Sequence, residues 1–270
     1  MAGIQSILVF GYGNMAGAMV NGWLQSGIPA SAITAVDPVR EDPPDGVRLL
    51  QALPEGESFD LVLLGVKPQL LDDIAGTVRP VLGADTILLS ILAGVETETL
   101  RRLFPEVGGI VRLMPNLAAA YRKSANTLFS EGLDQRQREA IEQMVDRLGA
   151  TEWLEREELF HAATALAGSG PAFVYRFIDA LAASGAELGL DPQLAERLAL
   201  QMVEGAAMLA ARSDASPGEL ARRVASPGGV TEVGLKVLDR DNAIADLVSQ
   251  CLTAARDRNI EMAEIARKKG

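Results

Sequence analysis

A glycine-rich hexapeptide, Gly11-Tyr12-Gly13-Asn14-Met15-Ala16, stands between an apolar run from Ile4 to Phe10 and a helical pattern from Met15 to Gln25. The order strand, G-x-G-x-x-A, helix is the context in which such a turn cradles a dinucleotide pyrophosphate. Gly11 permits the tight turn, Gly13 lets a phosphate approach the backbone, and Ala16 lets the helix pack closely on the strand. The helix N-terminus then presents unpaired N–H groups to negative charge. The chemistry expected of such a site is hydride transfer with a nicotinamide cofactor, NADPH or NADH.

Asp37 closes a second apolar run, Ala32 to Val36, about twenty residues after the glycines. A carboxylate there accepts hydrogen bonds from an adenosine ribose and repels a 2′-phosphate, which favours NADH, although Asp37-Pro38 also reads as a simple turn starter. Arg40, three residues on, is a guanidinium able to clamp a 2′-phosphate if Asp37 turns away, so both cofactors stay open. Val66-Lys67-Pro68 follows a third strand, Ala93-Gly94 a fourth and Met114-Pro115-Asn116 a fifth. All three therefore belong to the carboxyl edge of the sheet, where ligands of open α/β folds bind. Pro68 suits the first position of a helix. Lys67 is either a solvated loop charge or an aid to binding, and the Asn116 amide is suited to a nicotinamide carboxamide or ribose.

Two further segments carry hydroxyls. Ser226-Pro227-Gly228-Gly229-Val230-Thr231 reads as a helix start whose glycines leave N–H groups uncovered. It is either a good cap or a seat for a small carboxylate. Thr164 to Pro171 bends a helical region and exposes two hydroxyls with little bulk around them, which also suits a simple helix joint. His161, the only histidine, lacks a motif that would supply a proton-transfer partner, and a surface or core-packing role is expected of it.

The elements that must position these residues follow from the apolar pattern. Strands are expected at Ile4–Phe10, Ala32–Val36, Phe59–Leu64, Thr86–Ser90 and Gly109–Leu113, separated mostly by helices, which implies a parallel, doubly wound sheet. Ala125–Phe129 and Thr151–Leu154 add outer strands around an amphipathic helix, Asp134–Leu148. After about residue 155 only helices are expected. The expected fold is thus an α/β Rossmann-type N-terminal domain, residues 1–155, followed by an all-α C-terminal domain, residues 156–270. Apolar residues cover more than one face of Leu194–Ala211 and most of Ala172–Ala183, which suits helices of two chains interleaving in a homodimer.

The chain has 270 residues and a formal charge of −11, from 25 Lys+Arg against 36 Asp+Glu. Such a field repels nucleic acid and anionic membranes, so neither is expected as a partner, and an anionic ligand must be held by local donors. One cysteine, Cys251, forms no internal disulfide and no zinc site, and no metal is expected. With no signal-peptide pattern and no long apolar span, a cytoplasmic location is expected.

The same segments, taken with Ala165-Leu166-Ala167-Gly168-Ser169-Gly170-Pro171-Ala172-Phe173, resemble in order and spacing the pyrroline-5-carboxylate reductase family. The resemblance covers almost the whole chain. It implies a Rossmann-type domain, a helical dimerisation domain, and dimers often assembled into larger rings. It implies reduction of 1-pyrroline-5-carboxylate to L-proline by NADPH or NADH. Thr164 matches the hydroxyl that the family uses as proton donor or substrate orienter. Ser226, Gly229, Val230 and Thr231 match its substrate-carboxylate loop. The chain departs from the family pattern at Leu117-Ala118, where Thr-Pro is common, at His161, where an acidic residue is usual, and at Ser124, where glycine is frequent. Competing expectations are a reductase of another cyclic imino acid and a catalytically silent dinucleotide-binding sensor.

Thr231→Ala is expected to raise KM for the imino acid and leave cofactor binding nearly unchanged. Steady-state kinetics with an unaltered KM would remove Thr231 from the substrate site.

Overall fold

The computed structural model describes residues 3–44 and 46–269. Among them the strands form one eight-stranded sheet in the order β3-β2-β1-β4-β5-β6-β7-β8. The strands are β1 (Ile7–Phe10), β2 (Ile33–Val36), β3 (Arg48–Leu50), β4 (Leu61–Leu64), β5 (Ile87–Ser90), β6 (Gly109–Met114), β7 (Ser124–Glu131) and β8 (Gly149–Trp153). From β3 to β6 all neighbours are parallel, and the order reverses between β1 and β4, the position where a crevice opens at the carboxyl edge.

The sheet differs from the expected wholly parallel one at β7, which runs antiparallel to β6. Only residues 115–123 link the two strands, too few for a parallel crossover of a dozen or more residues, so the chain folds straight back. β8 is again parallel to β7, because α4 (Gln135–Asp146) supplies a crossover. Asp134 and Gln137 close a capping box at the start of α4. The three-residue edge strand β3 went unpredicted because it is too short to show alternation.

Both sheet faces are covered. α1 (Asn14–Gln25) and α4 pack on one face, where the fully buried Trp23 donates from Nε1 to the Met144 carbonyl at 2.9 Å and ties the two helices together. α2 (Leu71–Val78) and α3 (Thr97–Leu103) cover the other.

Residues up to Gly168, together with those from Ala255 onward, form one compact unit, and Ser169–Ala254 form the second. The first therefore holds α5 (Leu159–Ala163), a π-helical turn (Thr164–Gly168) and the end of α10 (Ala243–Lys269) in addition to the sheet. The second contains α6 (Gly170–Glu187), α7 (Pro192–Arg212), α8 (Pro217–Arg223) and α9 (Val230–Asp239). Asp191 caps α7 and a Ser216/Glu219 box caps α8. α6 packs on α7 where Gly185 meets Ala195 and Leu190. Even so, α6 buries no residue and α7 only Ala195 and Ala199, while Tyr175, Leu200 and Leu209 are more than half exposed. A single copy of these helices has almost no core of its own, as expected of helices completed by a second chain.

In the first unit a largely buried charged cluster, reached from the surface by Arg267, joins α5 and the end of α10 to β6 of the sheet. Arg112, 1% exposed in the middle of β6, lies over the Phe160 ring and pairs with Glu157 at 2.7 Å. Glu157 also accepts from the Thr97 N–H and hydroxyl, both at 2.8 Å. Glu96 forms a two-pronged pair with Arg267 of α10. His161 is buried, its Nδ1 meeting the Asn259 amide at 3.0 Å and its Nε2 lying 3.9 Å from Glu96. Of the surface and core-packing roles open to the single histidine, the structure shows the buried one.

Burial lowers the His161 pKa below its ordinary 6.5, with Arg112 and Arg267 adding to the effect and Glu96 and Glu157 opposing it. Below 6.5 the unfolded chain therefore binds more protons than the native one, and stability falls as pH drops toward the lower, folded value. Tm measured from pH 7.5 down to about pH 5 is expected to fall more steeply for the wild type than for His161→Gln. Parallel curves would show that His161 does not contribute.

Candidate functional site

β1 delivers the chain to the crevice at Gly11. The Gly11 N–H bonds to the Val36 carbonyl at 2.9 Å and the Gly65 N–H to the Phe10 carbonyl at 2.8 Å, so the turn is pinned to both neighbouring strands. Gly11 has φ +91°, and a side chain there would lie 2.7 Å from Val66 Cγ1 and 2.8 Å from the Gly65 carbonyl carbon. Gly13 is the N-cap of α1 and has no side chain to occupy the first-turn N–H groups; α1 also lacks an acidic residue in that turn. A Cβ on Gly13 would point into open space, so a pyrophosphate can approach the backbone there. Ala16 is 1% exposed and sits against Gly65, where a Cβ would be 3.1 Å from the alanine methyl and 2.5 Å from the Gly11 carbonyl oxygen. This cradle fits a dinucleotide, with Asn14 and Met15 opening the helix beneath it.

Asp37 follows β2 and spends its carboxylate on the backbone. Oδ2 accepts from the Tyr12 N–H at 3.0 Å, while Oδ1 accepts from Val39 and Arg40 N–H at 2.9 and 3.1 Å. Asp37 thus braces the glycine turn against the loop after β2, in keeping with the turn-starting role also read from Asp37-Pro38. Arg40 reaches across to the turn, donating from Nη2 to Asn14 Oδ1 at 3.2 Å. Tyr12 is buried beside it; burial pushes its phenol pKa up, and the Arg40 guanidinium pulls against that shift.

Val66, Lys67 and Pro68 leave β4 at the same edge, with Val66 against Gly11, Lys67 exposed and Pro68 starting a short 3₁₀ turn as expected. Ala93 and Gly94 follow β5. Gly94 has φ +74° and a Cβ there would come within 2.8 Å of Met262 Cβ, so this loop also seats the end of α10. Met114 ends β6, and its sulfur lies against Gly168 of the π turn. Asn116 is 7% exposed with its amide engaged at both ends: Oδ1 accepts from Ala118 N–H at 3.0 Å and Nδ2 donates to the Ala167 carbonyl at 3.1 Å. Its backbone N–H bonds to the Ser124 hydroxyl at 2.9 Å. Asn116 thereby holds the π turn to the end of β6, and Ser124 gives its backbone N–H an acceptor.

Thr164 begins that π turn, the kind of helix defect that often marks a functional site. Its hydroxyl donates to the Phe160 carbonyl at 2.7 Å, which leaves the oxygen lone pairs able to accept. In the second unit Gly229 caps α9, followed by Val230 and Thr231, whose N–H groups precede any intrahelical carbonyl partner. The Gly229 N–H is already bonded to the Ser226 carbonyl at 2.9 Å, and the Gly228 N–H to the Glu232 carboxylate at 2.6 Å. Those two bonds shape the loop and leave Val230, Thr231 and the Ser226 and Thr231 hydroxyls as its donors.

Sequence reasoning missed Gly65, although a glycine directly after an apolar strand was a visible signal. It also missed Arg112 and Glu157; a lone arginine inside Ile110-Val111-Arg112-Leu113-Met114 flags a buried partner. Asn259 and Arg267 gave no local signal, because their partners lie far away in sequence.

A family model described as pyrroline-5-carboxylate reductase dimerisation matches residues 157–262, and one described as NADP oxidoreductase, coenzyme F420-dependent, matches residues 6–94. A Pseudomonas aeruginosa pyrroline-5-carboxylate reductase is 35% identical over 96% of this chain and 97% of its own. Pyrroline-5-carboxylate reductase 2 of Bacillus subtilis is 33% identical over 94% of each. A solved pyrroline-5-carboxylate reductase from Coxiella burnetii has a TM-score of 0.86 at 31% identity, over 96% of this chain and 99% of that one. A Plasmodium falciparum pyrroline carboxylate reductase with NADP bound shares the fold, with a TM-score of 0.83 at 24% identity over 97% and 100% of the two chains.

Gly65→Ala forces a methyl against the Gly11 carbonyl and Ala16 and must displace the turn. Dinucleotide binding, followed by calorimetric titration, is expected to weaken by about tenfold or more. Unchanged affinity would mean that the turn does not hold the cofactor.

Proposed function

The chain belongs to the pyrroline-5-carboxylate reductase family, and from that premise we propose that it reduces 1-pyrroline-5-carboxylate to L-proline with NADPH or NADH. The observation that carries this reading is 35% identity to a relative of that name across 96% of the chain. The turn from Gly11 to Ala16, the loops at Val66-Lys67-Pro68 and Ala93-Gly94, and Met114 with Asn116 line or brace the cofactor edge. When bound, the reduced nicotinamide supplies the hydride that forms the new C–H bond at C5, while the C=N π pair passes to nitrogen.

The remaining work falls to side chains and backbone. A cyclic imine that arrives protonated needs orientation more than a strong acid. Thr164 suits that need, since its proton is held by the Phe160 carbonyl and its oxygen can accept from the iminium N–H. Nitrogen then keeps its proton as it takes the π pair, and the product leaves as the secondary amine. The Val230 and Thr231 N–H groups, with the Ser226 and Thr231 hydroxyls, bind the ring carboxylate at a helix N-terminus, which supplies local donors in an acidic chain. No strong base is required, which agrees with a histidine spent on packing.

Self-association covers the apolar faces of α6 and α7. Our reading extends this to a homodimer, to larger rings of dimers and to a cytoplasmic setting. No helix among the described residues is long and apolar enough to cross a membrane.

Absorbance at 340 nm should fall when purified protein meets pyrroline-5-carboxylate and either reduced nicotinamide, with proline as product. The six-membered homologue is expected to react with kcat/KM lower by about tenfold or more. A six-membered ring turned over faster would make the chain a reductase of another imino acid. Oxidation of neither cofactor would contradict the reading.

A further inference from the structure

We propose that Asn116 is a positioning residue for the reaction: its amide holds the π turn open at Ala167 and so sets where the Thr164 hydroxyl stands, without serving the cofactor. This rests on the reading of Thr164 as the hydroxyl that orients the imine, and it concerns how that hydroxyl is placed.

The backbone of the turn cannot satisfy itself. In an α-helix the Ala167 carbonyl would accept from the residue four positions on, and in a π-helix from the residue five on. The first is Pro171, which has no N–H, and the second is Ala172, whose N–H goes to the Ser169 carbonyl at 3.0 Å. Asn116 Nδ2 supplies the donor instead, at 3.1 Å. A part-buried carbonyl left without a donor is costly, so the π geometry depends on the amide that completes it.

Asn116 is itself held firmly. It caps a short 3₁₀ turn (Leu117–Tyr121), where its Oδ1 accepts from the Ala118 N–H at 3.0 Å. That bond sets the plane of the amide and aims Nδ2 at the π turn. Its backbone N–H is held at 2.9 Å by the hydroxyl of Ser124, 1% exposed at the start of β7. Engaged at both ends of its amide, Asn116 links the ends of two strands to the π turn.

Thr164 stands about one helical turn before Ala167. Its hydroxyl is tied back to the Phe160 carbonyl, and the buried Phe160 ring lies under the Arg112 guanidinium. The turn is thus anchored to the β6 side at both ends, through Arg112 at its start and Asn116 at its finish, and Gly168 closes on Met114. Release of the Ala167 end frees the turn to relax toward α geometry. The Thr164 oxygen then moves, although it must stay within hydrogen-bond reach of the imine nitrogen to orient it.

The test is a double-mutant cycle on the full-length protein with pyrroline-5-carboxylate and saturating NADPH. Asn116→Ser keeps an oxygen able to accept from the Ala118 N–H but is too short to reach Ala167. It is expected to lower kcat by about tenfold or more while leaving NADP⁺ affinity, read by calorimetric titration, within about twofold. Thr164→Ala is expected to lower kcat as well. In that background Asn116→Ser should cost no more than about a further twofold, because the group it positions is gone. Asn116→Asp, of the same shape but presenting an acceptor to the Ala167 carbonyl, should repeat the pattern and replaces the serine variant if that fails to fold. The same factor lost in both backgrounds would overturn the proposal, as would an unchanged kcat in Asn116→Ser or a loss of NADP⁺ affinity by about tenfold. Thr164→Ala with wild-type kcat would overturn the reading of Thr164 and the proposal with it.

Discussion

The constraint on which the cofactor edge depends is the contact between two glycines. Gly11 and Gly65, at the ends of adjacent parallel strands, come so close that a methyl on either would meet the other's backbone within 3 Å. That approach lets Ala16 seat α1 on the sheet and aims the bare N-terminus of the helix at the crevice. The adjoining strands then supply the remaining edge loops at positions set by the parallel register. Asp37 secures the arrangement from outside by tying the turn to the loop after β2.

A second set of contacts ties distant chain segments to the same unit. Arg112 and Glu157, Glu96 and Arg267, and His161 and Asn259 join the sheet to α5 and to the end of α10. Burial alone would make the Arg112 charge costly, and its pairing with Glu157 offsets that cost, while Arg267 reaches Glu96 from the surface. The Thr97 N–H and hydroxyl converge with Arg112 Nη1 on one oxygen of Glu157, Oε1, while Arg112 Nη2 is buried without a hydrogen-bond partner. Thr164 begins the π turn immediately after α5, so this cluster also fixes the helix that leads into the Thr164 hydroxyl.

Much of this was legible in sequence. The glycine turn, the parallel strands up to β6 and the all-helical second half follow from short-range patterns of apolar residues and breakers. The apolar circumference of α7 already indicated a helix that needs a second chain, and its exposure in a single copy agrees. What escaped has physical causes. β3 is three residues long, and the reversal at β7 depends on the length of a link rather than on its composition. Asp37 has the residue type of a ribose acceptor, yet its lone pairs are claimed by backbone groups that only the folded turn brings within reach. Asn116 likewise has the type of a cofactor contact, and its amide is drawn inward by Ala118 and Ala167. Side-chain type is local information; the partner that engages it is not.

The resulting account is of an enzyme that catalyses mainly by placement. Its only histidine is buried, its candidate reactive hydroxyl is back-bonded, and the carboxylate seat proposed for it is a helix N-terminus in a negatively charged chain. These features suit an imine that is already protonated and requires only a hydride at the correct carbon. The most direct measurement is NMR of the product formed from pyrroline-5-carboxylate and NADPH carrying deuterium at C4 of the nicotinamide, run with each of the two C4 epimers. The account predicts proline with a single deuterium on C5 from one epimer and none from the other. Proline lacking deuterium in both runs, or a product other than proline, would contradict it.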